Sequence, residues 1–221
     1  MIRIDATVAA AAALLCLARP GTARASEPYA VKADVGNSTM TAVFDAPLGE
    51  RITALTNEVG CTLTWDEKAG MSGTCAIPLT ALRVDNDDTK TEHFRQWATN
   101  KKVSEKSCEL VATLKDVKPS QALQPEKPVP FDAQVPFTVC GKARTDGAPE
   151  HVTGTVVLFP RGAYGPTTTL RIRAHVERFD REAYRIGPKW TSGWLARVQG
   201  LAKVVAPVGT IDLNLFAAAS K

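Results

Sequence analysis

Few residues in this chain have the types and spacing that catalysis needs. His93 has the carboxylates of Asp88 and Glu92 nearby in sequence, so it could act as a general acid or base. A histidine at the start of a helix is more often a surface residue. The chain has no nucleophile elbow, phosphate loop, dinucleotide fingerprint or His-Glu-x-x-His motif. We therefore predict that the protein is not an enzyme, and a hydrolase or isomerase centred on His93 is the weakest alternative.

Three aspartates, Asp85, Asp87 and Asp88, could offer oxygen ligands to a calcium ion. The run lacks the loop glycine and the distal glutamate of an EF-hand, and a sequence with helical character follows it. We interpret these carboxylates as helix-capping and solvated groups. The sequence therefore predicts neither a metal site nor a cofactor.

Four cysteines follow the first 25 residues: Cys61, Cys75, Cys108 and Cys140. In an oxidising compartment an even set favours two disulfides, for which three connectivities exist. A zinc site is the alternative, but no Cys-x-x-Cys spacing occurs and the three histidines do not cluster with any cysteine. We therefore predict two disulfide bonds.

The two strands around the predicted turn at 66–70 favour one pairing of these cysteines. If the strands form a hairpin about the middle of that turn, Cys61 and Cys75 lie directly opposite each other. We prefer this bridge, and Cys108–Cys140 follows by elimination. The alternation around the second pair does not clearly place both sulfur atoms on one face.

The first 25 residues have the features of a cleaved secretory signal peptide. Arg3 gives a positive start, residues 7–18 form a short apolar run, and residues 23–25 place small side chains at the cleavage positions. We predict cleavage after Ala25 and a location in the periplasm or outside the cell. The run is short for an uncleaved anchor, and no later segment is long and apolar enough to span a bilayer.

Composition limits what the remaining chain does. The 221 residues are 44% hydrophobic and 23% charged, which suits one packed domain over residues 26–221. The formal charge of +4 falls to +2 when the leader takes away three basic residues and one acidic residue. We therefore predict no nucleic-acid partner. The sequence is compatible with a monomer or a homodimer.

Most of the chain after the leader alternates apolar and polar residues over short segments, as half-buried strands do. Turn residues between these segments predict an all-β sandwich or barrel. The predicted strands are 59–65, 71–82, 108–117, 135–140, 152–159, 167–176, 201–205 and 210–216.

Two segments depart from the strand pattern. Thr89 and Glu92 have the spacing of a capping box, and Phe94 and Trp97 follow on one face, which predicts a short helix near residues 90–101. The proline-rich segment 118–136 is interpreted as a long connection between strands.

Several short motifs then follow one another in a recognisable order. They are the strand–turn–strand 63–73, the strand end 77–82, the helix start 88–94, the glycine turn 135–141 and the closing strand 208–215. Their succession over residues 38–217 resembles that of the YceI-like family of bacterial periplasmic proteins. The lysine-rich segment 101–106, the four cysteines and the proline-rich insertion depart from the family pattern.

The resemblance implies an extended antiparallel β-barrel of about eight strands, lipocalin-like in shape, whose lumen holds a polyisoprenoid or another amphiphilic lipid. A barrel of this size can hold one small ligand. Alternation predicts six inward-facing residues and the helix adds two, giving as candidate ligand contacts Leu63, Trp65, Ile77, Leu79, Phe94, Trp97, Leu110 and Leu114. The alternative is a disulfide-linked barrel with a filled core, which acts through its surface as a structural or interaction module.

Overall fold

The computed structural model describes residues 26–99, 108–187 and 205–220. Three sequence-based predictions fall wholly or mainly on the other residues: the leader 1–25, the departure from the family pattern at 101–106, and the strand 201–205.

The described residues form thirteen β-strands and one α-helix. The strands are β1 (Glu27–Val31), β2 (Thr39–Asp45), β3 (Arg51–Thr56), β4 (Gly60–Asp66), β5 (Gly70–Pro78), β6 (Arg83–Val84), β7 (Glu109–Val117), β8 (Val129–Val135), β9 (Phe137–Val139), β10 (Lys142–Ala143), β11 (Glu150–Phe159), β12 (Thr169–Asp180) and β13 (Val208–Ala219), and the helix is α1 (Asp88–Thr99).

The strands make one antiparallel sheet in the order β10-β9-β7-β5-β4-β1-β13-β12-β11-β8. A smaller branch continues from β13 through β2 and β3 to β6. Only Pro136 separates β8 from β9 in the chain, and the Pro136 carbonyl accepts a hydrogen bond from the Thr113 amide of β7. The two ends of the sheet therefore approach each other. The predicted all-β, lipocalin-like fold is confirmed, with thirteen strand segments in place of about eight.

The hairpin of β4 and β5 has the predicted register. Cys61 lies directly opposite Cys75 and Trp65 opposite Met71, and the turn between them is held by the Asp66 carboxylate. The predicted Cys61–Cys75 disulfide is present, with its Cα atoms 4.1 Å apart. The second disulfide joins Cys108, just before β7, to Cys140, just after β9. Both predicted bridges are confirmed.

The proline-rich segment contains a strand that the sequence analysis missed. We predicted a connection over 118–136, but β8 occupies its last third and pairs with β11 along seven residue positions. Val129, Phe131 and Val135 are buried on alternate positions, while Pro130 is exposed. Proline fits here because its fixed φ is compatible with extended backbone and its carbonyl still accepts a hydrogen bond from Ser120. The four other prolines of this segment obscured the alternation of buried and exposed residues along β8.

Helix α1 begins where the acidic run ends. The Asp87 carboxylate accepts a hydrogen bond from the Lys90 amide at 2.9 Å, so Asp87 is the N-cap. The predicted helix is confirmed, but the capping box starting at Thr89 is wrong by two residues. Asp87 competes better because a carboxylate accepts amide hydrogen bonds more strongly than a hydroxyl and also complements the helix dipole.

Candidate functional site

An apolar cavity of ≈ 650 Å³ lies between α1, the ends of β2 and β3, and the end of β12. Ligand sites in proteins commonly have volumes of about 300–1,000 Å³. Carbon atoms form most of its wall. The aliphatic and aromatic side chains that line it are Met40, Ala42, Phe44, Leu48, Ile52, Ala54, Leu79, Leu82, Val84, Phe94, Trp97, Leu110, Val139, Phe179, Ile186, Val205 and Ile211.

Helix α1 covers this cavity with the face that carries Phe94 and Trp97. Side-chain hydrogen bonds attach the helix to the neighbouring strand and turn. The Thr91 hydroxyl donates to the Asp87 carbonyl and accepts from the Val84 amide of β6, and an Arg95 guanidinium nitrogen donates to the Thr80 carbonyl at 2.6 Å. These hydrogen bonds tie α1 to β6 and to the turn after β5, and they hold its aromatic face against the cavity.

The outer rim of the cavity carries charges of both signs. Glu50, Asp87 and Lys90 are all exposed at this rim, and the neighbouring Leu48 is fully exposed. Lys90 donates a 2.7 Å hydrogen bond to Asp85, and this bond raises the pKa of the lysine. The opening is therefore exposed to solvent and carries two carboxylates and one ammonium group, whereas the interior is mostly apolar.

One charged side chain, Arg181, belongs to the cavity wall away from that rim. It begins the short 3-10 helix Arg181–Tyr184 and is only 6% exposed. Its guanidinium carbon lies 6.0 Å from the centre of the Trp97 ring, the distance of a cation–π contact. Burial lowers the pKa of Arg181, and the nearby Glu182 and Asp180 carboxylates offset only part of this effect.

Four of the eight predicted contact residues line the cavity: Leu79, Phe94, Trp97 and Leu110. The other four are not among its described lining residues. Leu63 and Ile77 are 1% exposed, and Trp65 and Leu114 are half-buried against the core. All of the predicted strand residues come from β4, β5 and β7 or the turn after β5, and only part of this side of the barrel borders the open space.

The sequence analysis missed the opposite wall. Met40 and Phe44 of β2, Ile52 of β3, Phe179 of β12 and Ile211 of β13 all line the cavity. Residues 40, 42 and 44 and residues 52 and 54 do have the alternation of a strand face, which was the available signal. Their pairing with β13 and β6 is long-range and cannot be inferred from local sequence.

His93 lines the cavity, and within the described ranges no carboxylate is hydrogen-bonded to it. Two carboxylates lie near His93 in sequence. Glu92 accepts a hydrogen bond from Gln96, and the Asp88 carboxylate forms a salt bridge with Arg83, with 3.4 Å between Oδ1 and Nη2. Asp85 accepts hydrogen bonds from the Thr53 amide and from Lys90. Within the described part of the chain, no three metal-binding side chains come together. The acidic run is thus occupied by capping and strand-anchoring contacts.

Comparison with known proteins supports the architecture. No family model and no curated protein matches this chain. Its fold is similar to that of a solved structure, a polyisoprenoid-binding domain from Saccharophagus degradans implicated in plant cell wall breakdown, with a TM-score of 0.59 and 12% sequence identity. The similarity covers 88% of this chain and 99% of that one. At this identity the similarity defines the class of fold, an all-β lipocalin-like one.

No helix in the described ranges is both long and apolar enough to cross a membrane.

Proposed function

We propose that this protein is an exported binding protein that holds one long apolar molecule, a polyisoprenoid or a similar amphiphilic lipid, in the cavity beneath α1. The observation that carries the proposal is the wall of that cavity, which is apolar almost throughout and which two aromatic side chains cover. Such a ligand is retained by burial of its chain, at about 25 cal/mol for each Å² removed from water. The similar fold of the Saccharophagus degradans polyisoprenoid-binding domain supports the same reading.

The cavity distinguishes this proposal from the alternative of a barrel with a filled core. A structural or interaction module needs no internal space, and proteins normally fill such space because unfilled volume is costly. A volume of ≈ 650 Å³ lined by carbon is therefore unexpected for a solid scaffold.

We propose that the ligand is bound without chemical change. Recovery of an unaltered ligand after long incubation with the protein tests this point.

Cavity filling gives a direct test of binding at this site. Ala54 of β3 lines the cavity, whereas Leu55, the next residue, points to the other face and is 48% exposed. We expect Ala54→Phe to occupy the space and to weaken calorimetric binding of geranylgeraniol by more than about tenfold, while Leu55→Phe binds like the wild type. Wild-type binding should show a negative heat-capacity change, because apolar surface is buried. No uptake by the wild-type protein would refute the proposal.

Export is the second part of the proposal. The leader-like residues 1–25 and the two disulfides support it, because disulfides persist in oxidising compartments. We expect the intact mass of the protein from its own cells to correspond to a chain that begins at Ser26 and lacks the hydrogen atoms of four thiols. A full-length, reduced chain in the cytoplasm would contradict export without affecting the cavity.

A further inference from the structure

Arg181 is a buried charge in the cavity wall that an uncharged ligand does not explain. Three of its N–H groups donate to main-chain carbonyls: Nη1 to Ile186 at 2.9 Å, Nη2 to Val205 at 2.8 Å and Nε to Ala206 at 3.3 Å. A guanidinium has five N–H donors. The described acceptors of Arg181 are thus neutral, and they use three of its donors.

The protein contains an instructive contrast in Arg144. That guanidinium is also largely buried, with 17% of its side chain exposed, and it pairs with two carboxylates, Asp146 at 2.8 Å and Glu150 at 3.0 Å. Arg181 is more buried, its hydrogen-bond acceptors are carbonyls, and the nearby Glu182 and Asp180 carboxylates offset only part of the effect of its burial. A buried charge is costly unless an opposite charge meets it, so the Arg181 side of the cavity favours an anion.

The position of Arg181 is fixed from several sides. Its own amide donates to the Pro207 carbonyl, and Tyr184 of the same 3-10 helix donates a 2.6 Å hydrogen bond to the buried Glu150. Gly187 has φ +141°, and a Cβ at this position would collide with Nη1 of Arg181. The chain therefore leaves room for the guanidinium by using glycine where a side chain would displace it.

Resting on the binding function proposed above, we propose that the ligand is a long-chain monocarboxylate whose carboxylate meets Arg181 while its apolar chain fills the cavity. A planar guanidinium matches a carboxylate in shape and hydrogen-bond direction. One buried cation neutralises one negative charge. A phosphate monoester carries about 1.5 to 2 charges at neutral pH, and the excess would have to be buried without a partner. The carboxylate is therefore the better match.

A series of ligands with one chain and three head groups tests this inference on the unaltered protein. Geranylgeranoic acid, geranylgeraniol and geranylgeranyl phosphate differ only at the end that would meet Arg181. We expect the acid to bind at least about tenfold more tightly than the alcohol, because a hydrogen-bonded charge pair replaces a neutral contact. The acid should also bind more tightly than the phosphate.

Variants then assign the preference to Arg181. Arg181→Met should abolish the preference for the acid over the alcohol, and Arg181→Lys should keep part of it, since it retains the charge but loses the planar fork. Arg178→Met is the matched control, because Arg178 is exposed on β12, the strand that ends just before Arg181, and is not among the described lining residues of the cavity. This control should bind all three ligands like the wild type. Thermal unfolding of each variant checks that it is folded.

The outcomes separate this inference from the function on which it rests. Equal binding of the three ligands, or tighter binding of the alcohol or the phosphate, overturns the monocarboxylate assignment and leaves the binding function intact. An acid preference that survives in a folded Arg181→Met protein also overturns it. If none of the three ligands binds, the proposed function itself fails. These comparisons on the wild type remain decisive even if the Arg181 variants do not fold.

Discussion

At the residue scale, the buried carboxylate of Glu150 connects the sheet to the segment that carries Arg181. Glu150 is 2% exposed and accepts hydrogen bonds from Arg144 and from the hydroxyl of Tyr184. The Tyr184 ring stacks on Phe179, a cavity residue, with centroids 5.2 Å apart. This small network therefore links the stability of the fold to the shape of the cavity.

Removing the Tyr184 hydroxyl should weaken the fold. In Tyr184→Phe the buried Glu150 keeps its hydrogen bond from Arg144 but loses the one from the Tyr184 hydroxyl, which we expect to lower the free energy of unfolding by about 1–3 kcal/mol. Urea denaturation measures the change. Tyr164→Phe is the control, because Tyr164 is 55% exposed and its ring contacts remain. Equal stability of Tyr184→Phe and this control would contradict the role of the network.

The same hydroxyl predicts a loss of stability in alkali. Burial, and then the hydrogen bond to Glu150, raise the pKa of Tyr184 far above its usual value. The unfolded chain ionises Tyr184 near pH 10, while the folded protein keeps it protonated. The stabilisation is therefore complete below about pH 10 and declines as the pH rises above it. Urea denaturation at increasing pH should show a steeper decline for the wild type than for Tyr184→Phe. Parallel pH curves for the two proteins would contradict the raised pKa of Tyr184.

At the scale of elements, the two disulfides close loops of different length. Cys61–Cys75 spans 14 positions across one hairpin, and Cys108–Cys140 spans 32 positions and joins the regions that flank β7 and β9. The chain-entropy relation gives about 3 kcal/mol for the first and about 4 kcal/mol for the second. We expect the Cys108→Ala, Cys140→Ala protein to be the less stable of the two double variants by guanidinium denaturation. The reverse order would show that native packing, and not loop closure, dominates.

Helix α1 provides the second prediction at this scale. Phe94 faces the cavity, and Glu92 is exposed on the helix surface. Phe94→Ala removes apolar contact area, so we expect roughly tenfold weaker binding of a geranylgeranyl chain by calorimetry. Glu92→Ala should bind like the wild type. If Phe94→Ala binds equally well, the ligand does not lie beneath the helix.

The elements also show how far the sequence alone could go. Alternation located β4, β5, β7 and the β11–β13 region, and the pairing of Cys61 with Cys75 followed from one hairpin. Local signals failed where the partner is distant. The cavity wall from β2 and β3 depends on pairings with β13 and β6, and β8 was hidden by prolines whose effect depends on which face they occupy. Arg181 gave no sequence signal, because its importance comes from burial against residues 186, 205 and 206.

At the scale of the whole molecule, the fold divides its interior into a solid part and an open part. Leu63, Ile77 and their neighbours fill one region, while the cavity beneath α1 stays open at one end. Small voids scattered through the core could not hold a ligand, whereas the space beneath α1 is a single cavity of ligand size. Helix α1 covers this volume with Phe94 and Trp97, and Arg181 of the 3-10 helix adds a charged side chain to its wall.

Native mass spectrometry of the protein, purified gently from the cells that make it, tests the central claim most directly. We expect a discrete added mass that disappears on organic extraction, and we expect Ala54→Phe to lack it while Leu55→Phe retains it. The extract then identifies the ligand, including its head group. A bare wild-type mass, or the same added mass on Ala54→Phe, would contradict a ligand held in this cavity.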